Sequence, residues 1–144
     1  MQVKDVLAHK GTKVATTIPT ATVAQVVAAL AASGVGALVV SDDGRSIVGI
    51  VSERDVVRAL HTFGGDLLDM AVTEIMTADV HTCVPDDAVR TVAATMTNHR
   101  FRHVPVVVDG VLSGIVSIGD LVKSRVDELE TEHDQLVEYI SSAR

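Results

Sequence analysis

Aromatic residues are almost missing from this chain. It has no Trp, one Tyr and two Phe in 144 residues, although 47% of the residues are hydrophobic and the mean hydropathy is +0.35. Its core must therefore be built from Val, Ile, Leu and Ala, a composition suited to sheets covered by helices. A single cysteine, Cys83, excludes an internal disulfide framework, and without Cys or His partners at ligand spacing it excludes a zinc knuckle. Basic charge is scarce. Twelve Lys and Arg against nineteen Asp and Glu leave a formal net charge of −7, which argues against a sequence-independent grip on nucleic acid or an anionic membrane. No run of about 18 uncharged apolar residues occurs, and MQVKDVLAHKG lacks the apolar stretch of a signal peptide. The expectation is a cytoplasmic chain with no membrane and no nucleic-acid partner.

What is present is a duplication. Val14, Thr16, Pro19, Val23, Val26, Ala28, Val40, Asp43 and Gly44 recur 66 places later as Val80, Thr82, Pro85, Val89, Val92, Ala94, Val106, Asp109 and Gly110. After a one-residue slip, GIVSERDVV at 49–57 faces GIVSIGDLV at 114–122. Each half reads in one order: a short helix (about 2–8 and 71–77), a threonine-bearing strand ending at Pro19 or Pro85, an amphipathic helix, two apolar strands joined by an Asp-Gly turn, and a final helix. Ser-x-x-Asp at 52–55 and 117–120 has the form of a helix N-cap. Neither half, at under 70 residues, buries enough alone. The predicted fold is α/β (α+β): two β-α-β-β-α repeats packed sheet to sheet with pseudo-twofold symmetry, plus a C-terminal helix. The divisions fall at 1–62, a linker at 63–70, 71–126, and a tail at 127–144.

The paired GIVSxxD words after apolar hairpins, with RHVPVV in the second half, resemble a tandem cystathionine-beta-synthase (CBS) domain pair, or Bateman module, in the style of small stand-alone bacterial proteins. The resemblance covers about residues 2–126. It implies a regulatory module whose clefts bind an adenosine ligand: AMP, ADP, ATP or NAD, with S-adenosylmethionine ranked behind. It also implies composite sites. The first would join Ser52, Arg54 and Asp55 to Thr82, Val84, Arg102 and His103; the second would join Ser117 and Asp120 to Thr16, Ile18, Gly36 and Ala37. The chemistry is consistent with this, since a carboxylate accepts from ribose hydroxyls and a helix N-terminus favours phosphate. Two arginines and a histidine should make the first site prefer phosphate-rich ligands, whereas Gly119 and Gly36 stand where the first site has Arg54 and Arg102.

Plainer readings stand beside these. Both Ser-x-x-Asp words serve equally as caps, and Arg54, Arg102 and His103 as solvated or ion-paired side chains. Six histidines show no metal-binding spacing, and Cys83 reads as a small buried residue. No nucleophile, general base or metal set accompanies the cleft, so no enzyme and no catalytic cofactor are expected. In the tail, Val122, Val126, Leu129, Leu136 and Ile140 form a stripe near heptad spacing, broken by His133. That stripe predicts a homodimer, with an unidentified protein target as a further partner. The alternative function is a ligand-independent dimeric scaffold.

Overall fold

The computed structural model describes residues 1–143. Helix α1 (Val3–Lys10) leads to a two-residue strand β1 (Thr16–Thr17), helix α2 (Val23–Ser33), strands β2 (Ala37–Val40) and β3 (Gly49–Ser52), and helix α3 (Glu53–Phe63). Two 3-10 turns follow, Gly64–Asp69 and Val72–Glu74. The second half comprises α4 (Val89–His99), β4 (His103–Val108), β5 (Val111–Ser117) and α5 (Ile118–Ser142).

The duplication is visible in the pairing. Strand β1 runs parallel to β2 with Thr17 opposite Val40, and β2 pairs antiparallel with β3. In the second half Cys83 sits opposite Val106, also parallel, and β4 pairs antiparallel with β5. Thr17 and Cys83, like Val40 and Val106, are the 66-residue mates. The second threonine segment, however, forms one bridge and not a strand. Its Cys83 N–H donates to Pro105 O and its carbonyl accepts from Val107 N–H. The second lead-in, expected as a helix over 71–77, is the short 3-10 turn at Val72–Glu74.

Local chemistry explains where the elements stop. Gly34 ends α2 in the left-handed region at φ 62°. At the mate of that position stands Arg100, also left-handed at φ 58°, a conformation that costs a non-glycine residue about 1–2 kcal/mol. Asp109-Gly110, both at positive φ, form the tight turn between β4 and β5. In the linker stretch, 63–70, Leu67 is fully buried with Val23 and Ala59.

The lead-in segments exchange places. Helix α1, first in sequence, contributes Val3, Val6 and Leu7 to a core with Cys83, Val89, Val92, Met96, Val104, Val106, Val116 and Leu121, all of the second half. Conversely Val72 joins Ala21, Val26, Leu30, Leu38, Val40 and Val51 of the first half. Backbone bonds repeat the exchange: Val3 N–H donates to Asp87 O (2.9 Å), and Val72 N–H to Ala21 O (2.9 Å). Each half completes its core with a segment adjoining the other, which is why the chain divides in sequence at about 71 but not in packing.

Candidate functional site

Strands β3 and β5 each run straight into a capped helix, and the first of these caps borders the site. Ser52 caps α3: its hydroxyl accepts from Asp55 N–H (3.3 Å), and Asp55 Oδ2 accepts from Ser52 N–H (2.8 Å). Ser117 and Asp120 form the same box on α5, at 3.1 and 2.8 Å. Both words are therefore real capping boxes. The cap uses one carboxylate oxygen of Asp55, and its Oδ1 has no hydrogen bond among the described residues.

Beside the first cap lies a cavity of about 360 Å³, within the usual size of a small-molecule site. Its walls include Ser52, Arg54 and Asp55 of the first half together with Arg102 and His103 of the second. Further walls come from residues that the sequence reading missed: Ile50, Arg58, Thr77, Asp79, Val80, His81, His99, Arg100 and Phe101. Four arginines thus converge in a chain of net charge −7. Arg58 was legible as the next helical turn after Arg54. Arg100 had no sequence signal, because its place depends on the left-handed turn after α4; that turn aims its carbonyl at Arg54 Nη1, which donates to it at 3.4 Å. His81, His99 and Phe101 form an aromatic group with ring centroids 4.7, 5.0 and 5.7 Å apart.

Thr82 and Val84 stand outside this wall. The segment reaches the cavity through 79–81 instead, and Val84 is 43% exposed. Gly36, expected in the second site, lines the first cavity, and a Cβ there would meet His103 and Glu53 Oε1 at 3.1–3.3 Å. A smaller neighbouring hollow is walled by Arg54, Met96, Thr97, Arg100, Phe101, Arg102 and Ile118. Thr16, Ile18, Ala37, Ser117 and Asp120 line neither space. Ala37 is buried opposite Ser52 in the β2–β3 ladder, while Ile18 is 55% exposed.

The second cap differs by one ion pair. Lys10, at the end of α1, binds Asp120 Oδ2 and also donates to Ile115 O (2.8 Å). Leu7 and Met76 each abut the glycine of a GIV word, Gly114 and Gly49. The 69-residue displacement that relates Val3 to Val72, and Leu7 to Met76, also relates Lys10 to Asp79. One pseudo-equivalent place therefore holds a carboxylate in the open cavity and an ammonium on Asp120 in the other half. Burial raises the Asp120 value, but the Lys10 and Ser117 hydrogen bonds outweigh it and hold the carboxyl below its usual range.

His103 stands between the two caps. Burial and the Lys10 charge push its imidazole below the usual value, outweighing Asp120 and Glu53, which raise it; Arg102 lowers it further. The unfolded chain then binds the proton first as pH falls. Unfolding free energy is expected to decline below about pH 6.5, the ordinary histidine value, and to stop declining on this account below the folded value. Urea melts between pH 8 and 5 check this, and His103→Asn should flatten that part of the curve. Cys83 is 5% exposed, and burial and Asp87 push its thiol up to about 12, which disfavours the thiolate. Among the described residues no three His, Cys, Asp or Glu side chains are placed to share a metal ion, and no helix is long and apolar enough to cross a membrane.

Comparison with known proteins places this geometry. A curated Arabidopsis thaliana relative, "CBS domain-containing protein CBSX3, mitochondrial", is 37% identical over 123 residues, covering 83% of this chain and 60% of that protein. The chain thus spans less than two thirds of that relative's length. The crystal structure of a CBS-domain containing protein from Agrobacterium tumefaciens superposes with a TM-score of 0.84 at 40% identity, over 87% of this chain and 99% of that one. A CBS domain protein of Pyrobaculum aerophilum, solved with AMP, gives 0.78 at 32% identity over 90% and 97%. A CBS domain pair solved with 5′-methylthioadenosine and S-adenosyl-L-methionine gives 0.76 at 27% over 89% and 98%. The family model for the CBS domain matches twice, at residues 3–62 and 72–127. With both halves matched in order, and with the caps and hairpins repeated between them, this chain belongs to the CBS-domain family as a tandem pair.

Proposed function

We propose that the protein is a regulatory module that binds an adenosine phosphate in the cavity between Asp55 and the Arg100–His103 segment, and signals through the conformation of a dimer or a protein partner. The observation that carries this reading is the convergence of four arginines on a cavity that also presents the unbonded Oδ1 of Asp55. Arginines suit phosphate oxygens and the carboxylate suits ribose hydroxyls. The aromatic group of His81, His99 and Phe101 offers a surface on which a base can stack. AMP in one solved neighbour, and S-adenosyl-L-methionine with 5′-methylthioadenosine in another, support an adenosine-type ligand. The arginines favour phosphorylated ligands, AMP, ADP, ATP or NAD, over cationic S-adenosylmethionine. The proteins compared above indicate no enzymatic family.

Asp120 is already paired with Lys10, so one ligand per chain is expected. Calorimetric titration with AMP, ADP, ATP, NAD and S-adenosylmethionine tests both points. Asp55→Ala should weaken binding roughly 10- to 100-fold, the value of about 1.5–3 kcal/mol for a hydrogen bond to a charged group. Asp120→Ala should leave binding in place. Heat from none of the five ligands at millimolar concentration overturns the reading. The scaffold alternative has one observation in its favour, that both Ser-x-x-Asp words are complete as caps without a ligand; it predicts assembly with an empty cleft.

A further inference from the structure

Helix α5 runs 25 residues, and the family match ends at 127 within it. Every residue from Leu129 to Ala143 is exposed, so roughly 20 Å of helix projects from the body with nothing of its own chain against it. Such a length is marginal as an isolated helix in water. Along it Val126, Leu129, His133, Leu136 and Ile140 follow alternating steps of three and four, the a and d positions of a heptad. Leu129, Leu136 and Ile140 are 47%, 57% and 53% exposed.

We propose that α5 pairs with α5 of a second copy of this chain as a parallel two-stranded coiled coil. The residue types choose the geometry. Val126 and Ile140 at a are β-branched and Leu129 and Leu136 at d are leucines, the combination that favours two parallel strands. The flanking charges agree. In a parallel pair Arg125 at g faces Glu130 at e of the other copy, twice by symmetry, in exchange for its exposed contact with Glu128 at 3.1 Å. In an antiparallel pair centred on Thr131, Glu130 and Glu132 would each meet their own copies, four carboxylates at the middle of the seam. His133, the one polar residue at an a position, sets the register and costs stability, as polar residues do there. This rests on the assembly part of the function proposed above and is independent of the ligand.

Sedimentation of the full chain over a concentration series is expected to give twice the chain mass. Leu129→Asp with Leu136→Asp should give the single mass and keep a cooperative thermal transition whose midpoint no longer depends on concentration, because both side chains lie off the body. Ile140→Cys, with Cys83 buried, should form a covalent pair under mild oxidation, since only the parallel register sets position 140 against itself. His133→Val should lower the concentration at which the pair separates, by tenfold or more. A monomeric natural chain, a double variant that stays paired, no cross-link at position 140, or a weaker His133→Val pair each overturns the proposal. Failure of the ligand titrations with the pair intact would remove the ligand reading alone.

Discussion

Leu7→Ala is expected to cost about 2–5 kcal/mol of unfolding free energy, the range for truncating a buried leucine. The same change should raise the labelling rate of Cys83 roughly 100-fold, at tenfold per 1.4 kcal/mol. The two residues are 76 positions apart and lie in sequence-distinct repeats, yet they share one core. Leu7 is 8% exposed and packs over Gly114 of the GIV word in the second half, where even an added Cβ would meet its Cδ atoms at 3.1–3.2 Å. Shortening it leaves a void that this close-packed surround fills only in part. Cys83 is the reporter because it is 5% exposed in the folded state and reacts when the second core opens. Urea melts give the first quantity and timed reaction with a thiol reagent the second. A loss of stability with unchanged Cys83 labelling would mean that α1 is not part of the second core.

Arg54→Ala combined with Arg102→Ala should remove most discrimination between ATP and AMP. Each guanidinium is worth about 1.5–3 kcal/mol in a hydrogen bond to a charged group. The cavity is open to water and both charges are screened, so the lower figure applies, and the pair together accounts for roughly 100-fold in ATP affinity. AMP has a single phosphate and engages fewer of the four arginines, so it should lose roughly tenfold or less. Arg54 also holds the carbonyl of left-handed Arg100, so Arg54→Lys is the control that keeps the charge while losing the planar fork. Parallel titrations of the two nucleotides measure the ratio. An unchanged ratio would place the phosphates away from these side chains.

Much of this molecule was readable as local chemistry. The caps at Ser52 and Ser117 span three residues, the Asp109-Gly110 turn spans two, and the α5 heptad needs only its own side chains, so their signals lie inside short windows. The duplication was equally plain, because its 66-residue offset is a property of the letters themselves. The family resemblance followed from those words, and both family matches fall on them. Of the first-site residues, Ser52, Arg54, Asp55, Arg102 and His103 meet in one cavity, because the cap and the strand start each fix their own neighbours.

The remainder needed the chain to be folded. Lys10 and Asp120 are 110 positions apart, and their ion pair distinguishes the second cap from the first; no window of sequence contains both. Thr82 and Val84 matched by repeat register, yet the segment meets the cavity at Asp79–His81, because its strand is reduced to one bridge and its approach is set by what it packs on. Arg100 enters the site through a backbone conformation that its residue type disfavours. The exchange of lead-in segments is the clearest case. By itself the sequence determined two matching halves, their caps and turns, and an aliphatic core. Tertiary structure alone decided that each half is closed by a segment adjoining the other, since burying Val3, Val6 and Leu7 needs an apolar groove and the available groove lies on the second half.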